Sequence, residues 1–202
     1  MPQITKKKLE ILLESCDAFK SPKIRLEQYV TPSSIAAEVI NLAYLKGDIA
    51  GKIVYDLGCG TGKLAIGCAL MGAEHVTGFD TDGDALEIAR ENSKRLDVDV
   101  NWIKTDVKDI KGGCDTVFQN PPFGVHKKGA DRVFLNKGLK LGKVLYSFHN
   151  ADTREFVINY ISSLGGTVTD LLTLDFVLPH SYGFHRKEKK KTNVDVYRIH
   201  NE

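Results

Sequence analysis

Lys52-Ile53-Val54-Tyr55-Asp56-Leu57-Gly58-Cys59-Gly60-Thr61-Gly62 runs from an apolar strand into a glycine-rich turn, and Leu64 to Met71 reads as the helix that follows. Glycines at a strand-to-helix turn permit positive φ and let backbone N–H groups approach a ligand closely. The spacing is not the G-x-G-x-x-G of dinucleotide folds, because it is tighter and an aspartate precedes it. Such a turn alone fits many ligands. The next strand, His75-Val76-Thr77-Gly78-Phe79, narrows the choice by ending at Asp80, 24 positions after Asp56, where a carboxylate can take both hydroxyls of a ribose. Val100-Asn101-Trp102-Ile103 is a third strand, ending near Asp106, and Val107 beside it can flank an adenine ring. Ligands of parallel sheets lie outside the carboxyl ends of the strands, so acidic residues at three successive strand ends imply a ribose–adenine ligand.

The same alternation extends outward in both directions. Upstream, Lys6 to Cys16 places Leu9, Leu12 and Leu13 on one helical face. Thr31 and Pro32 read as the N-cap and first position of a helix that ends near Gly47. Downstream, Asp84 to Arg95 is helical with Asp84 as its cap, Asp115 to Phe118 is a strand, and Val133 to Leu141 is a helix. Lys143 to Phe148 is a strand and Thr153 to Leu164 a helix. Val168–Phe176 and Val194–Ile199 close the chain as two strands with no helix between them, an antiparallel edge. Alternating strands and helices predict an α/β fold with a mostly parallel sheet covered on both faces.

At 202 residues the chain has room for one well-cored domain spanning 1–202, with residues 1–32 as an N-terminal helix and lid segment. A net charge of +2 does not by itself announce a nucleic-acid partner, so the distribution of charge matters more than its sum. Cys16, Cys59, Cys68 and Cys114 form no C-x-x-C pair, which argues against a zinc site or a disulfide framework and for a reducing, cytoplasmic setting. No apolar run approaches the roughly 20 residues of a membrane span. Lys6-Lys7-Lys8 has no apolar segment behind it, so the start of the chain is no signal peptide.

Beyond the fourth strand stands Asn120-Pro121-Pro122-Phe123. Each residue of Asn-Pro-Pro is a turn former, and a plain turn is one reading. The other is chemical. The lone pair of an exocyclic amine on adenine is delocalised into the ring, which makes it a poor nucleophile. A carboxamide oxygen from Asn120 and a carbonyl from Pro121 can each accept one of its N–H bonds and draw the nitrogen toward tetrahedral geometry. Phe123 offers a flat face for a base, and two prolines hold the loop in place with little entropy left to lose.

Gly58-Cys59-Gly60-Thr61-Gly62, Asp80, Asp106 and Asn120-Pro121-Pro122-Phe123 together resemble the class I S-adenosylmethionine-dependent methyltransferases. Glu27-Gln28-Tyr29-Val30-Thr31-Pro32 is similar to the N-terminal cofactor motif of the amino-methylating members. Asn120 to Gly124 with Lys128 to Asp131, Tyr146 to His149, Thr153 to Glu155, Leu178-Pro179, Ser181-Tyr182 and Phe184-His185 resemble the methyltransferase-like protein 5 family, from about Leu9 to the C-terminus. That resemblance implies a Rossmann-like sheet of seven strands in the order 3-2-1-4-5-7-6 with strand 7 antiparallel. It implies N6-methylation of an adenosine in small-subunit ribosomal RNA, with S-adenosyl-L-methionine as cofactor. It assigns Gln28 and Thr31 to the methionine end and Asp56, Gly58, Gly60, Thr61, Gly62 and Lys63 to the loop. Asp80 falls to the ribose, Asp106 and Val107 to the adenine, and Asn120, Pro121, Pro122 and Phe123 to catalysis. Some relatives carry Cys in place of Thr61 and Val in place of Lys63, changes that backbone contacts would survive. Eukaryotic members work with a small zinc-containing activator subunit, so the implied partners are RNA and a subunit of that kind.

Two basic stretches are candidate phosphate contacts, Lys127 and Lys128 after the catalytic loop and Arg186, Lys187, Lys189 and Lys190 between the last strands. Solvated charged loops are the alternative. A protein-glutamine N5-methyltransferase also uses an Asn-Pro-Pro-aromatic loop, usually with Tyr and with a helical substrate domain in front. A non-catalytic cofactor-binding subunit of an RNA complex is a further reading, against which Asn120 and Phe123 stand.

Overall fold

The computed structural model describes residues 4–123, 129–177 and 191–201. Among the described residues six α-helices and seven strands follow one another in chain order: α1 (Lys6–Glu14), α2 (Ser33–Leu45), β1 (Ile53–Leu57), α3 (Lys63–Leu70), β2 (His75–Asp80), α4 (Gly83–Arg95), β3 (Asn101–Lys104), β4 (Cys114–Gln119), α5 (Ala130–Leu141), β5 (Gly142–Asn150), α6 (Arg154–Ser163), β6 (Gly166–Val177) and β7 (Lys191–Asn201). Short 3-10 turns occupy Ile24–Leu26, Val107–Asp109 and Ala151–Thr153.

The strands form one sheet in the order β3-β2-β1-β4-β5-β7-β6, and β7 runs antiparallel to both its neighbours while β1 to β5 are parallel. This is the expected α/β architecture, a Rossmann-like sheet. Strand order reverses between β1 and β4. That reversal opens a crevice at the carboxyl ends of the strands, where ligands of such sheets bind.

Period-two alternation sends successive side chains to opposite faces. On β4, Phe118 joins the core under α1, α2 and α3, while Val117 joins the core under α5 and α6. On β5, Tyr146 and Phe148 go one way and Leu145 the other. Phe118 and Tyr146 stack with centroids 4.9 Å apart. A buried carboxylate ties the first core together: Asp48, in the loop before β1, accepts from the Tyr146 hydroxyl at 2.6 Å and from Arg198 Nε and Nη2 at 2.8 and 3.1 Å. Among the described residues no helix is long and apolar enough to cross a membrane.

Three local expectations are corrected. Thr31 does not cap α2. Pro32 takes the N-cap position, with no side-chain cap, and the Thr31 hydroxyl is spent elsewhere. Asp82, not Asp84, caps α4, accepting from the Asp84 N–H at 3.2 Å. Asp106 lies beyond the end of β3 and caps the turn at Val107–Asp109, its Oδ1 accepting from the Lys108 N–H at 2.9 Å.

Candidate active site

A cavity of about 330 Å³ opens at the carboxyl ends of β1, β2 and β4, within the size range of small-molecule sites. The glycine-rich turn forms its floor. Gly62, at φ +85°, starts α3, and a Cβ there would strike the Trp102 ring. Gly60, at φ +53°, lies so close under the Phe19 ring that a Cβ would strike it, and donates its N–H to Asp80 Oδ2 at 2.8 Å. Asp80 Oδ1 accepts from the Asp82 N–H at 2.9 Å. Each Asp80 oxygen thus has one backbone donor and keeps a lone pair for a ligand hydroxyl.

Charge in the cavity is poised rather than neutralised. Asp56 is buried, its Oδ2 accepts from the Ala65 N–H at 3.1 Å, and its Oδ1 has no hydrogen-bond partner among the described residues. Burial raises its carboxyl to about 7, partly opposed by the Ala65 hydrogen bond, with Asp80 adding repulsion. Lys63, at the first turn of α3, is buried too, and its ammonium donates to Ser33 Oγ at 2.9 Å. Burial pushes the Lys63 ammonium below its usual value. Two groups of opposite sign therefore line one cavity, each displaced by desolvation toward its neutral form.

The lid is the segment ahead of α2. Lys23 pairs with Asp82 and Asp84, and the Gln28 amide donates to Asp82 Oδ2 at 2.7 Å while its oxygen accepts from the Lys23 N–H at 2.8 Å. Asp82, held down by these donors despite its own desolvation, anchors the lid to the loop after β2.

From the lid, Tyr29 reaches across to β4. Its hydroxyl lies 2.9 Å from Asn120 Oδ1 and 3.3 Å from the Pro121 carbonyl oxygen. Its ring tilts against Phe123 at 5.4 Å and meets Phe176 edge-on at 5.6 Å. Burial, with the Glu27 charge adding to it, pushes the phenol well above its usual range, so the hydroxyl remains a donor. The Asn120 amide donates to Thr31 Oγ1 at 3.0 Å, which leaves the Asn120 oxygen facing Tyr29.

Of the residues singled out by sequence, Gln28, Thr31, Asp56, Gly58, Gly60, Thr61, Lys63, Asp80, Asp106, Val107, Asn120 and Pro122 line this one cavity. Gly62, Pro121 and Phe123 do not: Gly62 begins α3, Pro121 contributes its carbonyl, and Phe123 backs Tyr29. Lys127, Lys128, Arg186, Lys187, Lys189 and Lys190 lie outside the described residues. Sequence reasoning missed Tyr29, Asp82 and Phe134, the last of which covers Gly58 from α5. Only Tyr29 left a trace, as the aromatic member of Glu27-Gln28-Tyr29-Val30-Thr31. Among the described residues no group of three or more His, Cys, Asp or Glu side chains could hold a metal ion.

Residues 36–138 match the family model of the methyltransferase small domain. The rRNA N(6)-adenosine-methyltransferase Mettl5 of Drosophila melanogaster is 37% identical to the chain, over 98% of each. Its counterpart in Danio rerio is 36% identical, over 96% of this chain and 97% of that one. The chain belongs to the Mettl5 family of methyltransferases. A crystal structure of a candidate RNA methyltransferase from Pyrococcus horikoshii superposes with a TM-score of 0.91 at 40% identity, covering 97% of both chains. Membership in the Mettl5 family thus extends over the lid, the glycine-rich turn and the Asn-Pro-Pro-Phe loop alike.

Proposed function

We propose that this protein transfers a methyl group from S-adenosyl-L-methionine to N6 of an adenosine in small-subunit ribosomal RNA. One observation carries the proposal: Asn120 Oδ1 and the Pro121 carbonyl, two acceptors on a rigid loop, converge on a single point beside an aromatic ring. An exocyclic amine has two N–H donors and a flat ring attached to it, and fits that point.

The cavity residues fit the cofactor. The unpartnered Asp56 oxygen and the buried Lys63 ammonium suit a ligand end carrying both an ammonium and a carboxylate, which would return each group toward its charged form. Gln28 and Thr31 lie on the lid side of that end. Gly58, Gly60 and Thr61 provide the close backbone approach, with Gly62 turning the chain into α3 behind them, Asp80 the acceptors for ribose hydroxyls, and Asp106 and Val107 the adenine contact. Once bound, the cofactor supplies an electrophilic methyl group on a sulfonium centre.

Everything else is done by the chain. Asn120 Oδ1 and Pro121 O accept the two amine hydrogens and localise the nitrogen lone pair toward the methyl group. Phe123 stacks the base, a contact worth roughly 1–3 kcal/mol, which offsets part of the few kcal/mol needed to unstack it from RNA. Pro121 and Pro122 hold the loop, so alignment is present before the substrate arrives. No strong base is required, because the nitrogen becomes acidic only as it gains the methyl group, and the proton then leaves along Asn120 or Pro121 to water. Lys127, Lys128, Arg186, Lys187, Lys189 and Lys190 would contact phosphates on the way in. A small zinc-containing activator subunit is the expected partner, and the cytoplasm the expected compartment.

The test is to incubate the protein with labelled cofactor and small-subunit ribosomal RNA, with and without an activator subunit, and digest to nucleosides. Label in N6-methyladenosine that disappears with Asn120→Ala, while cofactor binding persists, is the expected result. Label in a protein glutamine instead of RNA would replace the RNA reading by N5-glutamine methylation.

A further inference from the structure

We propose that Tyr29 is a gate on the base subsite: its phenol occupies the place of the target amine and base ring, and a base must displace it to reach the Asn120–Pro121 acceptors. This rests on the amino-group reading of the Asn120–Pro121 acceptors.

The geometry is that of a stand-in. The Tyr29 hydroxyl sits on both acceptors of the loop, at 2.9 Å from Asn120 Oδ1 and 3.3 Å from Pro121 O, and the ring covers Phe123 at 5.4 Å. Polar and stacking parts of the base subsite are thus covered by one side chain. The substitution is incomplete in a specific way. A phenol has one hydrogen and can satisfy one of the two acceptors at a time, whereas an exocyclic amine has two and satisfies both. Exchange of tyrosine for adenine therefore gains a hydrogen bond. Exchange for a base with a carbonyl at that position loses one and opposes two oxygens. The two acceptors, once uncovered, favour amino bases over keto bases, and the closed gate weakens the binding of both alike.

The backbone that carries Tyr29 is tethered close by. Glu27, two residues earlier, is held at φ +50°, in the left-handed region that a side-chain-bearing residue adopts only under constraint. Glu27 closes the Ile24–Leu26 turn there, its N–H donating to the Ile24 carbonyl at 2.9 Å, and the anchor follows at once, Gln28 on Asp82 with Lys23 beside it. Because Asp82 follows the ribose-binding Asp80, the gate hangs from the cofactor loop itself.

Tyr29→Phe removes the hydroxyl and keeps the ring packed against Phe123 and Phe176. On the full chain loaded with S-adenosylhomocysteine, titration with adenosine and with inosine should show adenosine binding at least threefold tighter in Tyr29→Phe than in the natural protein, and inosine gaining by the same factor. Their ratio therefore stays level, because the acceptors that set it are untouched. With ribosomal RNA as substrate, KM should fall while kcat stays within twofold and cofactor affinity is unchanged. A second measurement uses the natural protein. Among the seven tyrosines labelled with 3-fluorotyrosine, the resonance missing in Tyr29→Phe should shift on adding adenosine. A fall in kcat at constant KM would make Tyr29 an aligning group for Asn120 and overturn the gate. So would unchanged or weaker adenosine binding in Tyr29→Phe, or no adenosine binding by either protein. Label in ribosomal RNA in those cases leaves the substrate reading standing. Tighter adenosine binding without any RNA labelling sinks that reading and leaves the gate.

Discussion

Asn120 Nδ2 donates to Thr31 Oγ1 at 3.0 Å, in the orientation that leaves the carboxamide oxygen facing the Tyr29 hydroxyl at 2.9 Å. An asparagine side chain can present its oxygen or its amide to a substrate with almost no change in shape. Only the oxygen can accept an N–H. Thr31, at the foot of the lid, takes the amide and thereby turns the oxygen toward the point where Tyr29 sits.

Thr31→Val should therefore act on chemistry more than on binding. The replacement keeps the branched shape at a buried position and deletes the acceptor. With the amide free to turn, about half the molecules or more present the wrong end, and the remaining oxygen is less firmly held. A fall in kcat of about tenfold, equivalent to roughly 1.4 kcal/mol, is expected, with cofactor affinity within twofold. Single-turnover methylation at saturating cofactor measures it, and an unchanged rate would show that the lid does not orient Asn120.

Asp56 gives a pH signature to the cofactor-free protein. Its folded carboxyl titrates at about 7, above its value in an unfolded chain. Between those values the unfolded chain has lost the proton and the folded one keeps it, so stability from this group is full below about pH 4 and declines as pH rises to about 7. The loss is of the order of a few kcal/mol. Subtracting the Asp56→Asn unfolding free energy from that of the natural protein should give a curve falling from pH 4 to 7 and flat above. A curve that rises over that interval would mean that Asp56 is ionised in the folded state.

The parts of this molecule that could be read from sequence are those whose signals are local. β1, β2 and β4 stand out because buried parallel strands are apolar runs, and the turn after β1 because Gly60 and Gly62 require positive φ. Asp80 and Asn120 follow from strand ends. What escaped depends on contacts made far along the chain. Thr31-Pro32 looks like a helix cap, but its hydroxyl partner is 89 residues away. Gln28 turns to Asp82, 54 residues on, and no pattern in either segment announces the other. Tyr29 is legible as an aromatic in a motif, while its seat on Asn120 and Pro121 exists only once the lid has folded over β4.

His149 should oppose Asp56 in the same pH range. It is buried beside Ser147, whose hydroxyl lies 2.7 Å from its Nε2, and its Nδ1 is 4.0 Å from an Asp131 carboxylate oxygen. Burial lowers its titration to about 3, with the Asp195 charge working the other way. The stability that follows is complete above about pH 6.5, the ordinary histidine value, and is lost progressively as pH falls toward 3, because only the unfolded chain can take the proton. His149→Gln, which can still reach Ser147, should lower the acid sensitivity of unfolding between pH 4 and 6.5. Equal acid sensitivity of the two proteins in urea titrations would show that His149 is charged or solvated when folded.

Asp48 is the group whose loss should be felt most in stability and least in chemistry. It receives Tyr146 Oη and the Nε and Nη2 donors of Arg198 in a setting where Asp48 and Arg198 are largely buried. Removing one member of such a pair leaves the other charge desolvated and unpaired, which costs about 3–5 kcal/mol. Asp48→Ala strands the Tyr146 hydroxyl and the Nε side of the Arg198 guanidinium at the pairing of β5 with β7, leaving Arg198 only the Thr169 hydroxyl at 2.7 Å and a looser contact to Asp170 at 3.9 Å. For a chain of this length each kcal/mol corresponds to roughly 2–4 °C, so Tm should drop by about 10 °C. The cavity lies at the opposite side of β1 from Asp48, after its last residue rather than before its first. Cofactor affinity measured well below the lowered Tm should therefore stay within twofold of the natural protein. A Tm within 2 °C would mean that water reaches Arg198 readily and that the pair is a surface contact, and a tenfold loss of cofactor affinity would mean that β1 transmits the damage from one end to the other.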